Sequence, residues 1–191
     1  MTAAGAIGNR VPAARLAEVP HSVSFEHATT LGLAGRTALR VVRLAGPLLG
    51  RSVLILGASG GVGHLTVQLA AHAGALVTAH TRASDRAGDL LDGGAERVLC
   101  GEGPERAAFD VVLDGVGGES LQRAIQAIRP GGTIVLFGAT DPEPAKVTLL
   151  DFIGHEGARI LTYFSYASGT AASIGSDLRT LVPCEDSWAD G

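Results

Sequence analysis

The stretch Val53-Leu54-Ile55-Leu56-Gly57-Ala58-Ser59-Gly60-Gly61-Val62-Gly63 decides the fold. An apolar run enters a glycine turn. A segment with Val62, Leu65, Leu69 and Ala73 at helical spacing follows at once. Strand, glycine turn and helix in that order are the context in which a glycine fingerprint carries meaning. Gly60 leaves no side chain between the backbone and a pyrophosphate, and Gly63 lets the helix pack close on the strand. The helix N-terminus offers unpaired N–H groups and the positive end of a dipole to phosphates. Ala58 stands where the first glycine of G-x-G-x-x-G usually lies, so the pattern reads A-x-G-G-V-G. Ser59, Gly60, Gly61 and Val62 are therefore the expected phosphate-binding residues. The alternative is a turn that only closes a strand-helix unit.

Outward from this stretch, strands and helices alternate. The expected elements are Val53–Leu56, Val62–Ala73, Leu76–His80, Ser84–Leu91, Arg97–Cys100, Phe109–Asp114, Ser120–Ile128 and Thr133–Phe137. Such alternation predicts an α/β fold, doubly wound, with a mostly parallel sheet and helices on both faces. Val53–Leu56 and Thr133–Phe137 are nearly all apolar, as strands covered on both faces are. A strand over Ile160–Ser165 and a helix over Ser173–Val182 complete the set. Upstream, Ser24 caps a helix over Phe25–Leu33, and Gly35–Ala45 reads as a second helix, broken at Gly46-Pro47. Residues 1–20 are expected to be the remnant of a domain boundary, 21–182 a cofactor-binding domain, and 183–191 a frayed acidic tail.

Composition excludes several classes. The 191 residues suit one domain with a sizeable core. A net charge of −4 argues against a nucleic-acid partner. No apolar run approaches the length of a membrane span, and the N-terminus has no signal-peptide pattern, so the expected location is cytoplasmic. Cys100 and Cys184 are too few for a four-thiolate zinc lobe. His64, Gln68 and His72 share one helix face and are expected to form a solvated stripe.

The second strand ends in His80-Thr81-Arg82. A site for NAD usually carries an acid here, about 20 residues after the glycines, for the ribose hydroxyls. None is present. Arg82 and Arg86 stand there instead, and a guanidinium fork suits a 2′-phosphate. The expected cofactor is therefore NADP(H), with two arginines on an exposed helix start as the alternative.

These motifs together resemble the medium-chain dehydrogenase/reductase superfamily, in its zinc-free quinone oxidoreductase and enoyl reductase branch. The carrying pieces are Ser24-Phe25-Glu26-His27-Ala28, Leu33-Ala34-Gly35-Arg36-Thr37-Ala38-Leu39 and the glycine turn. Phe109-Asp110-Val111-Val112-Leu113-Asp114-Gly115-Val116-Gly117-Gly118 and Arg129-Pro130-Gly131-Gly132-Thr133-Ile134-Val135 follow later. The likeness runs from about Val11 to about Val182. It implies a Rossmann-type cofactor domain and, elsewhere in such enzymes, a GroES-like catalytic domain that this sequence does not contain. It places Arg86 at a phosphate-binding position and Thr37 near the nicotinamide, although a helical threonine often just bonds back to its own backbone. It puts Gly115, Gly138 and Ala139 at strand ends where small residues admit the cofactor or make a tight turn.

The resemblance implies hydride transfer to a small-molecule acceptor, a quinone or an activated alkene, and a homodimer paired at the edge strand near Ile160–Ser165. It identifies no catalytic residue in this chain. The other reading is a non-catalytic NADP-binding module or sensor. A short-chain dehydrogenase would need Tyr-x-x-x-Lys, and neither Tyr163 nor Tyr166 has the lysine. A methyltransferase would want an acid after the second strand. Gly154-His155-Glu156-Gly157-Ala158 echoes a zinc alcohol dehydrogenase signature but lies far after the glycine turn, without partner cysteines. No metal is expected, and His155 and Glu156 are expected at the surface.

Overall fold

In the computed structural model of the chain, the described residues are Val19, 23–101, 103–165, and Ser176, Asp177, Thr180 and Leu181. The expected remnant before residue 19, the tail after 182, Cys184 and Tyr166 lie outside them.

Among the described residues, six strands form one parallel sheet. They are β1 (Ser52–Leu56), β2 (Leu76–Thr81), β3 (Arg97–Cys100), β4 (Phe109–Asp114), β5 (Ile128–Leu136) and β6 (Arg159–Thr162), in the order β3-β2-β1-β4-β5-β6. The helices are α1 (Phe25–Thr30), α2 (Arg36–Ala45), α3 (Gly61–His72), α4 (Ala87–Asp92) and α5 (Glu119–Ala127). This is the Rossmann-type order, in which the winding reverses between β1 and β4.

Side chains of the central strands alternate between two cores. Val53, Ile55, Val111, Leu113 and Val135 join the cluster with Val41, Val67 and Leu90 from the helices of one face. Leu54, Leu56, Val112 and Ile134 join the cluster with Leu121 and Ile125 of α5 on the other. Period-two alternation with both sets apolar explains why these strands read as continuous apolar runs. No helix among the described residues is long and apolar enough to cross a membrane.

The structure corrects four expectations. First, α1 and α2 are not separate helices. A π-helical turn over Leu31–Gly35 joins them, with Arg36 N–H reaching Leu31 O. Gly35 permits this because a Cβ there would stand 3.0 Å from Leu31 Cδ2 and 3.1 Å from Leu181 Cδ1. Second, β5 begins at Ile128, five residues early, and carries an irregularity: Phe109 pairs with Ile128, but Val111 pairs with Thr133. Pro130, Gly131 and Gly132 thus lie within β5, between its two stretches of pairing with β4.

Third, His155 is fully buried, while Glu156 is exposed. The His155 Nδ1 lies 2.6 Å from Ile128 O, so the ring closes the start of β5. Fourth, only His72 of the polar stripe is exposed. His64 and Gln68 are half-buried and bond to each other at 2.7 Å, because the turn at Gly93 packs over Gln68.

The edge strand β6 stops at Thr162, where its partner β5 runs out at Leu136. Of the expected last helix, Ser176, Asp177, Thr180 and Leu181 are described and helical. Asp177 is fully buried and accepts from Arg40 Nε at 2.8 Å and Arg43 Nη1 at 2.9 Å, with Arg36 Nε at 3.6 Å. One carboxylate thus pins this segment to α2.

Candidate nucleotide site

At the sheet's carboxyl edge, β1 runs into the turn Gly57–Gly60. Gly57 takes φ +75, and Gly60 N–H donates to Gly57 O at 3.1 Å. The first backbone bond of α3 runs from His64 N–H to Gly60 O at 2.8 Å. The N–H groups of Gly61, Val62 and Gly63 precede that bond at the start of a 12-residue helix, an arrangement that suits an anion.

Two glycines of the turn serve different ends. A Cβ on Gly63 would collide with Gly57 O and stand 2.8 Å from Ala58 Cα, so the protein's own packing requires glycine. A Cβ on Gly60 would meet only Gly57 O at 3.4 Å, and one on Gly61 would meet nothing within 4 Å. Both are exposed. Bare backbone facing open space at a helix N-terminus fits a phosphate group.

The end of β2 stands beside this turn. Thr81, 1% exposed, donates to Ser59 Oγ at 2.8 Å and accepts from Ala83 N–H at 3.0 Å. Arg82 is exposed and makes no ion pair among the described residues. Arg86 is held by Asp89 at 2.7 Å on the protein surface.

The ends of β4 and β5 complete the crevice. A Cβ on Gly57 would stand 2.8 Å from Val116 Cγ2, and one on Gly138 would collide with Gly115 O. A Cβ on Gly115 would stand 2.9 Å from the Phe137 ring, and one on Gly117 would stand 3.5 Å from Ala139 Cα. Gly57 of the glycine turn and Gly115, Gly138 and Ala139 therefore lie close together at the carboxyl ends of β1, β4 and β5. At Gly138, however, internal packing alone already requires glycine, and at Gly115 a Cβ would press on the Phe137 ring.

Asp114, fully buried, shapes this turn. Its Oδ1 accepts from Val116 N–H at 2.9 Å, Gly117 N–H at 3.2 Å and Ser120 Oγ at 3.0 Å. Burial pushes its carboxyl above the usual carboxylate range, against the pull of those three donors. Thr37 is buried, and its hydroxyl donates to Leu33 O at 2.7 Å, one turn back in its own helix.

Thr81, Asp114 and Ser120 were not singled out from the sequence. Asp114 carried a signal: an acid closing an apolar strand before Gly-x-Gly-Gly is the composition of a side-chain-capped turn. Thr81 carried none beyond its place at a strand end. Among the described residues, no group of three His, Cys, Asp or Glu could hold a metal ion.

Comparison with known proteins agrees with this architecture. A 2-methylene-furan-3-one reductase of Solanum lycopersicum is 38% identical over 131 residues, 64% of this chain and 33% of that protein. An acryloyl-coenzyme A reductase of Metallosphaera sedula is 32% identical over 161 residues, 78% of this chain and 48% of that protein. The chain thus spans half or less of the length of these relatives.

Among solved structures, a quinone oxidoreductase of Pseudomonas syringae superposes with a TM-score of 0.83 at 24% identity, over 93% of this chain and 58% of that one. A mycobacterial protein complexed with NADPH superposes with a TM-score of 0.82 at 25% identity, again over 93% and 58%. The family model described as zinc-binding dehydrogenase matches residues 61–179. With the strand order, the glycine turn and these relatives in agreement, the chain belongs to that family, within the medium-chain dehydrogenase/reductase superfamily.

Proposed function

We propose that residues 21–182 are the NADPH-binding domain of a zinc-independent oxidoreductase that passes hydride to an activated alkene or a quinone. The end of β2 carries this reading: no acid stands there, and Arg82 projects from it without an ion pair among the described residues. The two reductase relatives support the acceptor class, since both are named for compounds with a carbon–carbon double bond beside a carbonyl. The solved complex of a superposable protein with NADPH supports the cofactor.

NADPH supplies the hydride from its nicotinamide when bound. The chain's own residues bind and orient it. Gly61 and Val62 would hold the pyrophosphate with their backbone N–H groups, while Ser59 and Gly60, whose own N–H is turned to Gly57 O, would border it without a bulky side chain in the way. Arg82 and Arg86 hold the 2′-phosphate, Arg86 by exchanging Asp89 for it. Gly115, Gly138, Ala139 and Thr37 flank the nicotinamide half. On this reading the acceptor is held largely by the part of such enzymes that this chain does not span.

Titration of the chain with both cofactors tests the reading. Wild type is expected to bind NADPH more tightly than NADH. Arg82→Ala should lose about 1.5–3 kcal/mol toward NADPH, roughly ten- to a hundredfold, and nothing toward NADH. Equal affinity of wild type for the two cofactors would sink the assignment.

The same reading includes a homodimer paired along β6. Ile160 of β6 is 37% exposed, and Leu149, Leu150 and Ile153, earlier in the chain, are 85%, 73% and 63% exposed. A strand edge with no neighbour among the described residues is a liability that a twofold partner removes. Sedimentation equilibrium should show a dimer at micromolar concentration; a monomer at high micromolar concentration contradicts it.

A further inference from the structure

We propose that Thr81 is a positioning residue for cofactor selectivity: it aims the Ser59 hydroxyl at the 2′-phosphate of NADPH. The inference rests on the NADPH reading above and goes beyond it by naming a residue that need not touch the cofactor.

Thr81 stands in the middle of a short hydrogen-bond chain. Ala83 N–H can only donate, and it does so to Thr81 Oγ1 at 3.0 Å. Thr81 then has one proton to give. Ser59 Oγ is 2.8 Å away, whereas Ala83 O is 3.4 Å away, at the outer limit of a hydrogen bond. Thr81 keeps a second lone pair, so Ser59 can accept from Thr81 or donate to it, and the arrangement in which Ser59 accepts from Thr81 is the one that leaves the Ser59 proton to donate outward. An anion fixes that order: Ser59 gives its proton to the anion, Thr81 gives its proton to Ser59, and each bond polarises the next. Thr81 is buried at 1% exposure, so no water competes for its hydroxyl, while Ser59 is only half-buried and can reach a ligand.

Position selects the phosphate. The pyrophosphate faces the N–H groups of α3, beyond Gly60. The Ser59–Thr81 pair bridges the other way, from the glycine turn to the last residue of β2. That is the place where this fold meets the adenosine ribose, and the next residue is Arg82. A neutral donor there, backed by a guanidinium, suits the phosphate monoester that distinguishes NADPH from NADH.

The test measures dissociation constants of the full chain for NADPH and NADH in wild type, Thr81→Val, Thr81→Ser, Ser59→Ala and the double variant Thr81→Val/Ser59→Ala. Thr81→Val should weaken NADPH about tenfold and leave NADH within about twofold. Thr81→Ser should restore wild-type selectivity. Ser59→Ala should reproduce Thr81→Val, and the double variant should be no worse than Ser59→Ala, because the two act as one unit. Equal weakening of both cofactors would assign the pair to the pyrophosphate or to loop shape and overturn the proposal. So would intact NADPH preference in both single variants. If Thr81→Val fails to fold, Ser59→Ala decides alone, since it removes one half-exposed hydroxyl. A wild type without NADPH preference would overturn the NADPH reading and this inference together, and is distinguished from the other failures by the wild-type titration.

Discussion

Strand β4 carries a carboxylate at each end, and the two are treated oppositely. At the amino end, Asp110 Oδ2 accepts from Ser52 N–H of β1 at 2.9 Å, and its Oδ1 accepts from Arg129 of β5 at 3.0 Å. Arg51 reaches its carbonyl at 3.1 Å. Burial alone would raise this carboxyl, but the Ser52 N–H and the arginines outweigh it and hold the group below the usual range. At the carboxyl end, Asp114 uses only Oδ1; among the described residues its buried Oδ2 has no hydrogen-bond partner. The first carboxylate ties three neighbouring strands together. The second gives up part of its own solvation to set a turn beside the crevice. The amino edge of this sheet is built for cohesion, and the carboxyl edge for shape.

The largest expected effect lies within the carboxyl edge, where shape serves two masters. Gly63→Ala places a Cβ against Gly57 O and the Ala58 backbone, none of which can move without opening the turn. The loss should be at least about 2 kcal/mol, larger than the gain in helix propensity, and the melting temperature should fall by about 4–8 °C. Gly60→Val, with open space around its Cβ and φ −75, should melt like wild type yet bind neither dinucleotide. A Gly60→Val variant that is folded and binds normally would make the turn purely structural and erase the division.

These differences also mark what a sequence can disclose. The sheet was legible because β1, β4 and the second half of β5 are apolar on both faces, and β1, β2 and β4 are each followed by a helix. The ordered motifs from Ser24 to Val135 fixed where the crevice lies. What remained hidden depends on contacts between distant residues. His155 reads as a surface polar group until Ile128 O, 27 residues away, is found against it. Gly60 and Gly63 look alike in the fingerprint, and only their surroundings show that packing requires one and not the other. Thr81 meets its hydrogen-bond partner Ser59, 22 residues earlier, only in the fold. Arg86 has the right spacing, but its neighbour Asp89 engages its guanidinium in the structure described here.

A smaller effect is expected at the amino edge. Asp110→Asn keeps one acceptor and loses the charge that faces Arg129. Arg129 is 46% exposed, so solvent screening reduces the loss from the charged-hydrogen-bond range to about 1 kcal/mol. The sign with pH follows from the depressed carboxyl. Its contribution is present above the ordinary carboxylate range and disappears as pH falls through the lowered value. Wild type should therefore exceed Asp110→Asn in urea melts at neutral pH, and the two should converge in acid. A gap that persists in acid would show that the loss was packing and not charge.

The smallest effect, and the sharpest test of the comparison, is Asp114→Asn. The amide oxygen can still accept from Val116 N–H, Gly117 N–H and Ser120 Oγ, so the turn should keep its shape. The charge is what changes. Because burial raises this carboxyl, the folded state holds its proton more tightly than the unfolded chain does. That contribution is complete below the ordinary carboxylate range and is lost as pH rises through the raised value. The sign is the reverse of Asp110. Asp114→Asn should match wild type in acid and become the more stable of the two toward neutral pH, by a margin that grows as the wild-type carboxyl ionises. Urea melts at a series of pH values measure that margin directly. If Asp114→Asn is instead the weaker at neutral pH, the Asp114 charge is being stabilised in the folded protein, and the two ends of β4 are not opposites.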